Sequence, residues 1–112
     1  MRHDSPFVLD LASYGTYAVI RAEGELDIAA VPQLRERVDR AARRAPRVVV
    51  DLRDVTFMDT YVLRTLIARS QAATRSTNWS LHCVAGAGIQ RLLDLADARG
   101  KLRWIASEQL AD

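Results

Sequence analysis

An acid and two hydroxyl residues, Asp59-Thr60-Tyr61, follow a long β-prone run and open an apolar-periodic segment that starts at Val62-Leu63. The run before them, Val48-Val49-Val50-Asp51-Leu52-Arg53-Asp54-Val55-Thr56-Phe57-Met58, reads as a buried strand and then a short loop. A strand that turns straight into a helix presents unpaired backbone N–H groups and the positive end of the helix dipole. Hydroxyl residues there suit a phosphoryl switch or a partner contact. Thr60 reads as an N-cap, with phosphoacceptor as the alternative. Tyr61 reads as a surface aromatic shielding apolar neighbours, as an amphipathic interface contact, or as a phosphoacceptor itself.

Other chemistry is sparse. His3, His82 and Cys83 are the only histidines and cysteine, too few for the usual transition-metal ligand sets. His82 and Cys83 are neighbours in a β-prone stretch, so their side chains point oppositely and make a poor dyad. Cys83 is expected as a small core residue. Gly86-Ala87-Gly88 lies between a strand and a helix, but the third glycine of a dinucleotide fingerprint falls on Arg91. The stretch Arg35, Arg37, Arg40, Arg43, Arg44, Arg47 carries Glu36 four residues before Arg40 and Asp39 four before Arg43. That is the favourable orientation for ion pairs on a solvated helix face, so no nucleic-acid partner is expected. Neither an enzyme nor a cofactor is indicated.

The elements that must position these residues follow from periodicity. Strands are expected at about 7–12, 16–23, 47–52, 79–85 and 102–106, and helices at about 30–44, 60–75 and 87–98. Ser13-Tyr14-Gly15 suits a hairpin, after which strands and helices alternate. This pattern predicts one α/β domain spanning 1–112, with a mixed, mostly parallel sheet of about five strands. Val48, Val50 and Leu52 would face one way, and Arg47, Val49 and Asp51 the other. One face is thus more polar, and helices are expected mainly on the opposite one.

The first helix carries a core stripe of Val31, Leu34, Val38, Ala41 or Ala42, and Ala45; the third carries Ile89, Leu92, Leu93 and Ala96. Ala29 and Ala30 cannot cap the first helix through a side chain, so Ala30→Ser or Ala30→Thr is expected to stabilise by about 0.5–1 kcal/mol. With 112 residues, 49% apolar and 27% charged, and a net charge of +2, the composition is that of an ordinary soluble domain. No stretch approaches the roughly 20 apolar residues of a membrane span. The N-terminus lacks a signal-peptide pattern, and the single cysteine leaves no intramolecular disulfide, so the cytoplasm is the expected compartment.

Gly24-Glu25-Leu26-Asp27, then Ala30-Val31-Pro32-Gln33-Leu34, then Val49 through Asp59 closely resemble the STAS domain family, the bacterial anti-sigma factor antagonists above all. A third stretch, Val84, Ile89 and Arg91-Leu92-Leu93-Asp94-Leu95, resembles the family more weakly. The resemblance implies a small non-catalytic α/β domain. It implies as partner an anti-sigma factor, usually a serine kinase with a histidine-kinase-like ATPase fold, whose capture frees a sigma factor. Phosphorylation of a serine at the start of the second helix would release that partner, by placing charge and bulk in the interface.

Where the family has Ser-Ser-Gly-Leu or a variant, this chain has Thr60-Tyr61-Val62-Leu63. Tyr61 stands at the phosphoacceptor position and Val62 replaces a glycine that would let a partner's backbone approach. The tyrosine hydroxyl extends well beyond a serine's reach, so the ordinary switch is expected to be lost or altered. A partner surface is then expected on Asp27, Ile28, Asp59, Thr60, Tyr61 and Arg64, with Asp27 read either as a loop residue that fixes the turn into the first helix or as the rim of that surface, roles that do not exclude each other. The same fold also serves as a structural subunit of larger complexes, such as a phospholipid-transport ATPase or a stress-signalling scaffold. After Ser107-Glu108-Gln109-Leu110 the chain stops near where the family usually has a final helix, which is expected to be abbreviated or absent.

Overall fold

In the computed structural model, residues 6–95 and 99–110 are described. The strands are β1 (Phe7–Ser13), β2 (Tyr17–Leu26), β3 (Arg47–Met58) and β4 (Ser80–Ala85); the helices are α1 (Val31–Arg44), α2 (Thr60–Ser76) and α3 (Ala87–Leu95). Single 3-10 turns occupy Ile28–Ala30, Arg99–Lys101 and Ser107–Gln109. The sheet order is β1-β2-β3-β4, with β1 antiparallel to β2 and the remaining pairs parallel. This is the expected mixed, mostly parallel α/β architecture.

Helices fall on one face for a topological reason. The β2-α1-β3 and β3-α2-β4 crossovers step the same way across the sheet, and the right-handed rule sends both helices to the same side. There Leu34, Val38 and Ala41 of α1, Val62 and Leu66 of α2, and Ile89 and Leu93 of α3 join Val48, Val50 and Leu52 in one buried core. Each of the larger of these side chains contributes roughly 1.5–3 kcal/mol on full burial. The opposite face holds a smaller cluster, Val49 and Val84 under Leu110, with Val19 and Ile105 alongside. Its cover is the C-terminal segment, whose Ser107–Gln109 forms only a 3-10 turn where a final helix was in question.

β3 runs on to Met58, through the residues expected as a loop. Its pairing with β2 slips between Arg21 and Glu23 and again between Gly24 and Glu25. Each slip gives β3 one extra residue, so its core-facing positions change from a spacing of two (Val48, Val50, Leu52) to a spacing of three (Val55, Met58). Gly24 sits at the second slip with φ +88°, and a Cβ there would lie 2.1 Å from the Pro6 carbonyl oxygen. Only glycine fits.

The fifth segment contributes a single parallel bridge. Trp104 pairs with Cys83, whose N–H donates to the Arg103 carbonyl at 2.8 Å while Ile105 N–H donates to the Cys83 carbonyl at 3.0 Å. The expected end of α3, including Ala96, lies outside the described residues. On α1, Glu36 pairs with Arg40, but Asp39 reaches across to Arg69 of α2 at 2.9 Å and leaves Arg43 to solvent.

Candidate functional site

Parallel neighbours end together, and so Leu26 of β2 lies beside Met58 of β3 at the C-terminal ends of the two inner strands. The two turns that follow are tied by Asp59 N–H donating to the Leu26 carbonyl at 3.1 Å. Each turn opens a helical segment with an aspartate. Asp27, in extended conformation, accepts the Ala29 N–H at 2.9 Å and caps the 3-10 turn that leads into α1. Asp59, at φ −86° and ψ 173°, accepts the N–H groups of Tyr61 at 3.0 Å and Val62 at 3.1 Å. The N-cap of α2 is therefore Asp59, correcting the expectation for Thr60. The extended backbone of Asp59 aims its carboxylate back at the orphan donors, whereas Thr60 is already the first helical residue.

Around these caps lies an apolar, partly basic surface. Ile28 and Tyr61 are more than half exposed, at 55% and 53%. They line one shallow groove between α1 and α2, together with Val31, Arg35, Arg64, Thr65 and Ala68. The Arg64 guanidinium lies 5.9 Å from the Tyr61 ring centroid, a cation–π distance that holds the ring against α2. Thr65 Oγ1 donates to the Tyr61 carbonyl at 2.8 Å. Phe57 adds an exposed aromatic just before the Asp59 turn.

Of the six residues expected at a partner surface, Ile28, Tyr61 and Arg64 line this groove, Asp27 and Asp59 are tied up as caps beside it, and Thr60 is exposed at the helix start. Val31, Arg35, Thr65 and Ala68 complete the groove and were not anticipated. Their signal was present in the four-residue steps Val31–Arg35 on α1 and Tyr61–Thr65 on α2, which put each pair on one helix face. Val62 also departs from expectation. Its side chain is fully buried, so it fills the core and cannot hold a partner away from the backbone.

The remaining chemistry-bearing groups sit elsewhere. Burial pushes the Cys83 thiol up to about 12, leaving an inert core residue. His82 is half-buried with Nδ1 unpartnered among the described residues; burial first, then the charges of Arg47 and Arg103, lower its pKa. Gly86 and Gly88 serve packing. A Cβ on either would lie 2.4 Å from a β3 carbonyl oxygen, that of Arg53 or Val55, so glycines let α3 press against the outer half of β3.

None of the curated proteins compared matches this chain. Among solved structures, an anti-sigma factor antagonist from Mycobacterium paratuberculosis is 20% identical over 88% of this chain and 84% of its own, with a TM-score of 0.70. The anti-sigma factor antagonist SpoIIAA in its unphosphorylated form is 17% identical over 91% of both chains, with a TM-score of 0.71. The Bacillus cell fate determinant SpoIIAA in its phosphorylated form is 17% identical over 91% of this chain and 95% of its own, with a TM-score of 0.65. At such identities these likenesses establish the fold. The STAS domain profile matches residues 9–109, nearly the whole of the sequence, and the chain belongs to the STAS domain family.

Proposed function

We propose that this chain is a non-catalytic binding module of the anti-sigma factor antagonist type, acting in the cytoplasm. It would engage an anti-sigma factor of the serine-kinase class through Asp27, Ile28, Asp59, Thr60, Tyr61 and Arg64. The observation that carries the reading is the exposed Tyr61 ring at the first turn of α2, steadied by Arg64 and facing a groove shared with Ile28. A rigid aromatic next to arginine, with little side-chain entropy to lose, is the composition of an interface anchor. In this reading the serine switch is absent: Tyr61 holds the phosphoacceptor position, and its hydroxyl lies outside the reach of a serine kinase site.

The test is calorimetry with the anti-sigma factors encoded in the same genome, followed by intact-mass analysis after incubation with ATP. One of them should bind, Tyr61→Ala should weaken it by roughly tenfold or more, and no phosphate should be added. Binding by none of them removes the partner assignment. Stoichiometric phosphorylation at Thr60 or Tyr61 removes the lost-switch reading alone. Tyr61→Ser is the informative reversion. Adding Val62→Gly would empty a buried position and confound the result by roughly 2–3 kcal/mol.

A further inference from the structure

The arginine-rich stretch of α1 divides once the chain is folded. Arg37 and Arg40 are engaged with Leu9 and Glu36, while Arg43, Arg44 and Arg47 stay exposed and make no ion pair among the described residues. Tertiary structure then adds cations from distant segments. Arg47 starts β3 beside Ser80 of β4, and Ser80 and Arg103 line one groove with Pro46, Thr74 and Asn78. The adjoining groove, of about 490 Å³, is lined by Arg75, Lys101, Arg103, Ser70 and Thr74. Among the described residues no carboxylate lines either groove.

Six exposed cations thus gather at the end of the molecule where β3 begins, roughly 35 Å along that strand from the Asp59 turn. The tip of the β1–β2 hairpin lies at the same end, since Tyr17 pairs with Arg47. On it Tyr14 is half exposed and stacked on Tyr17, with ring centroids 5.2 Å apart.

We propose that this basic end is a docking surface for anionic phospholipid headgroups, holding the domain at a membrane surface with the start of α2 facing away. Arginine donors suit phosphate, and a cluster of four to eight cations is the usual size of such a surface. Tyr14 supplies the amphipathic ring that prefers the headgroup layer. The arrangement favours a lipid surface over nucleic acid for two reasons. The cations are spread over the ends of several elements and not along one helix that could enter a groove. The one exposed aromatic here already has a face covered by Tyr17, which leaves no series of platforms for unstacked bases.

The experiment is co-sedimentation of the whole chain with vesicles of phosphatidylglycerol and phosphatidylcholine, and with pure phosphatidylcholine. Partition onto the anionic vesicles should be strong and should weaken as salt is raised. Arg44→Gln/Arg103→Gln should reduce it by roughly fivefold per cation, about twenty-five-fold in all. Arg91→Glu, which changes net charge equally but lies on α3, should change it far less. Tyr14→Ser should weaken partition without altering its salt dependence. Equal binding to pure phosphatidylcholine, equal losses in the two charge-matched variants, or tighter binding to single-stranded or duplex oligonucleotides would each overturn the assignment.

Discussion

Asp27 and Asp59 cap two adjacent helix starts, and that pairing explains how the exposed surface around them can be held in place without being buried. Asp59→Ala leaves the N–H groups of Tyr61 and Val62 without their acceptor and should lower stability by about 1 kcal/mol in denaturant unfolding. Ala30→Ser reverses sign relative to the sequence expectation. Ala30 is fully buried and helical in conformation, and the preceding 3-10 turn already has its cap in Asp27. A serine there buries a hydroxyl and should cost about 1 kcal/mol, seen as a lowered urea midpoint. The sequence displayed both helix starts, but a cap depends on backbone direction one residue either way, which the fold sets. Hence Thr60 read as the cap when Asp59 is.

Among the elements, β3 and α3 teach the most about what a sequence conceals. Period-two alternation locates a regular strand, and Arg47 through Leu52 was legible for that reason. Two bulges then shift the period to three, so Asp54 through Met58 resembled a loop although it stays paired with β2. Gly86 and Gly88 resembled two of the three glycines of a dinucleotide fingerprint because glycine is chosen for any close approach, here that of α3 to the β3 carbonyls. Gly88→Ala decides between two magnitudes. Helix propensity would gain about 1 kcal/mol, but the new Cβ meets the Val55 carbonyl oxygen at 2.4 Å, and backbone cannot step aside as a side chain can. Overpacking of this kind costs roughly 1–3 kcal/mol, so a net lowering of the thermal midpoint is expected.

Over the whole molecule, charge and burial set how stability responds to conditions. Asp51 is buried on the sheet face away from the helices, and Arg53 donates to it from its backbone N–H at 3.1 Å, Nε at 2.9 Å and a terminal nitrogen at 2.8 Å. Burial raises the carboxyl pKa, but the Arg53 hydrogen bonds and charge outweigh it and hold the group below its usual 3.8. Because the folded value is depressed, the stabilisation is complete above 3.8 and is lost as pH falls through the folded value. Urea titrations should therefore show wild type losing stability in that acid range, while Asp51→Asn, weaker at neutral pH, should show a flatter profile. Cys83, fully buried with its thiol near 12, should resist a thiol reagent in the native state and react at the rate of global unfolding.

The family, the α/β layering and the Asp59 junction were determined by the sequence alone, because local periodicity, turn residues and a contiguous motif survive without knowledge of the fold. Residues brought together from distant segments were not. The groove that joins Val31 and Arg35 to Tyr61, the burial of Val62, and the meeting of Arg47, Arg75 and Arg103 at one end depend on how helices cross over a twisted sheet. Those juxtapositions exist only in three dimensions, and they decide which side chains this chain presents together at its surface.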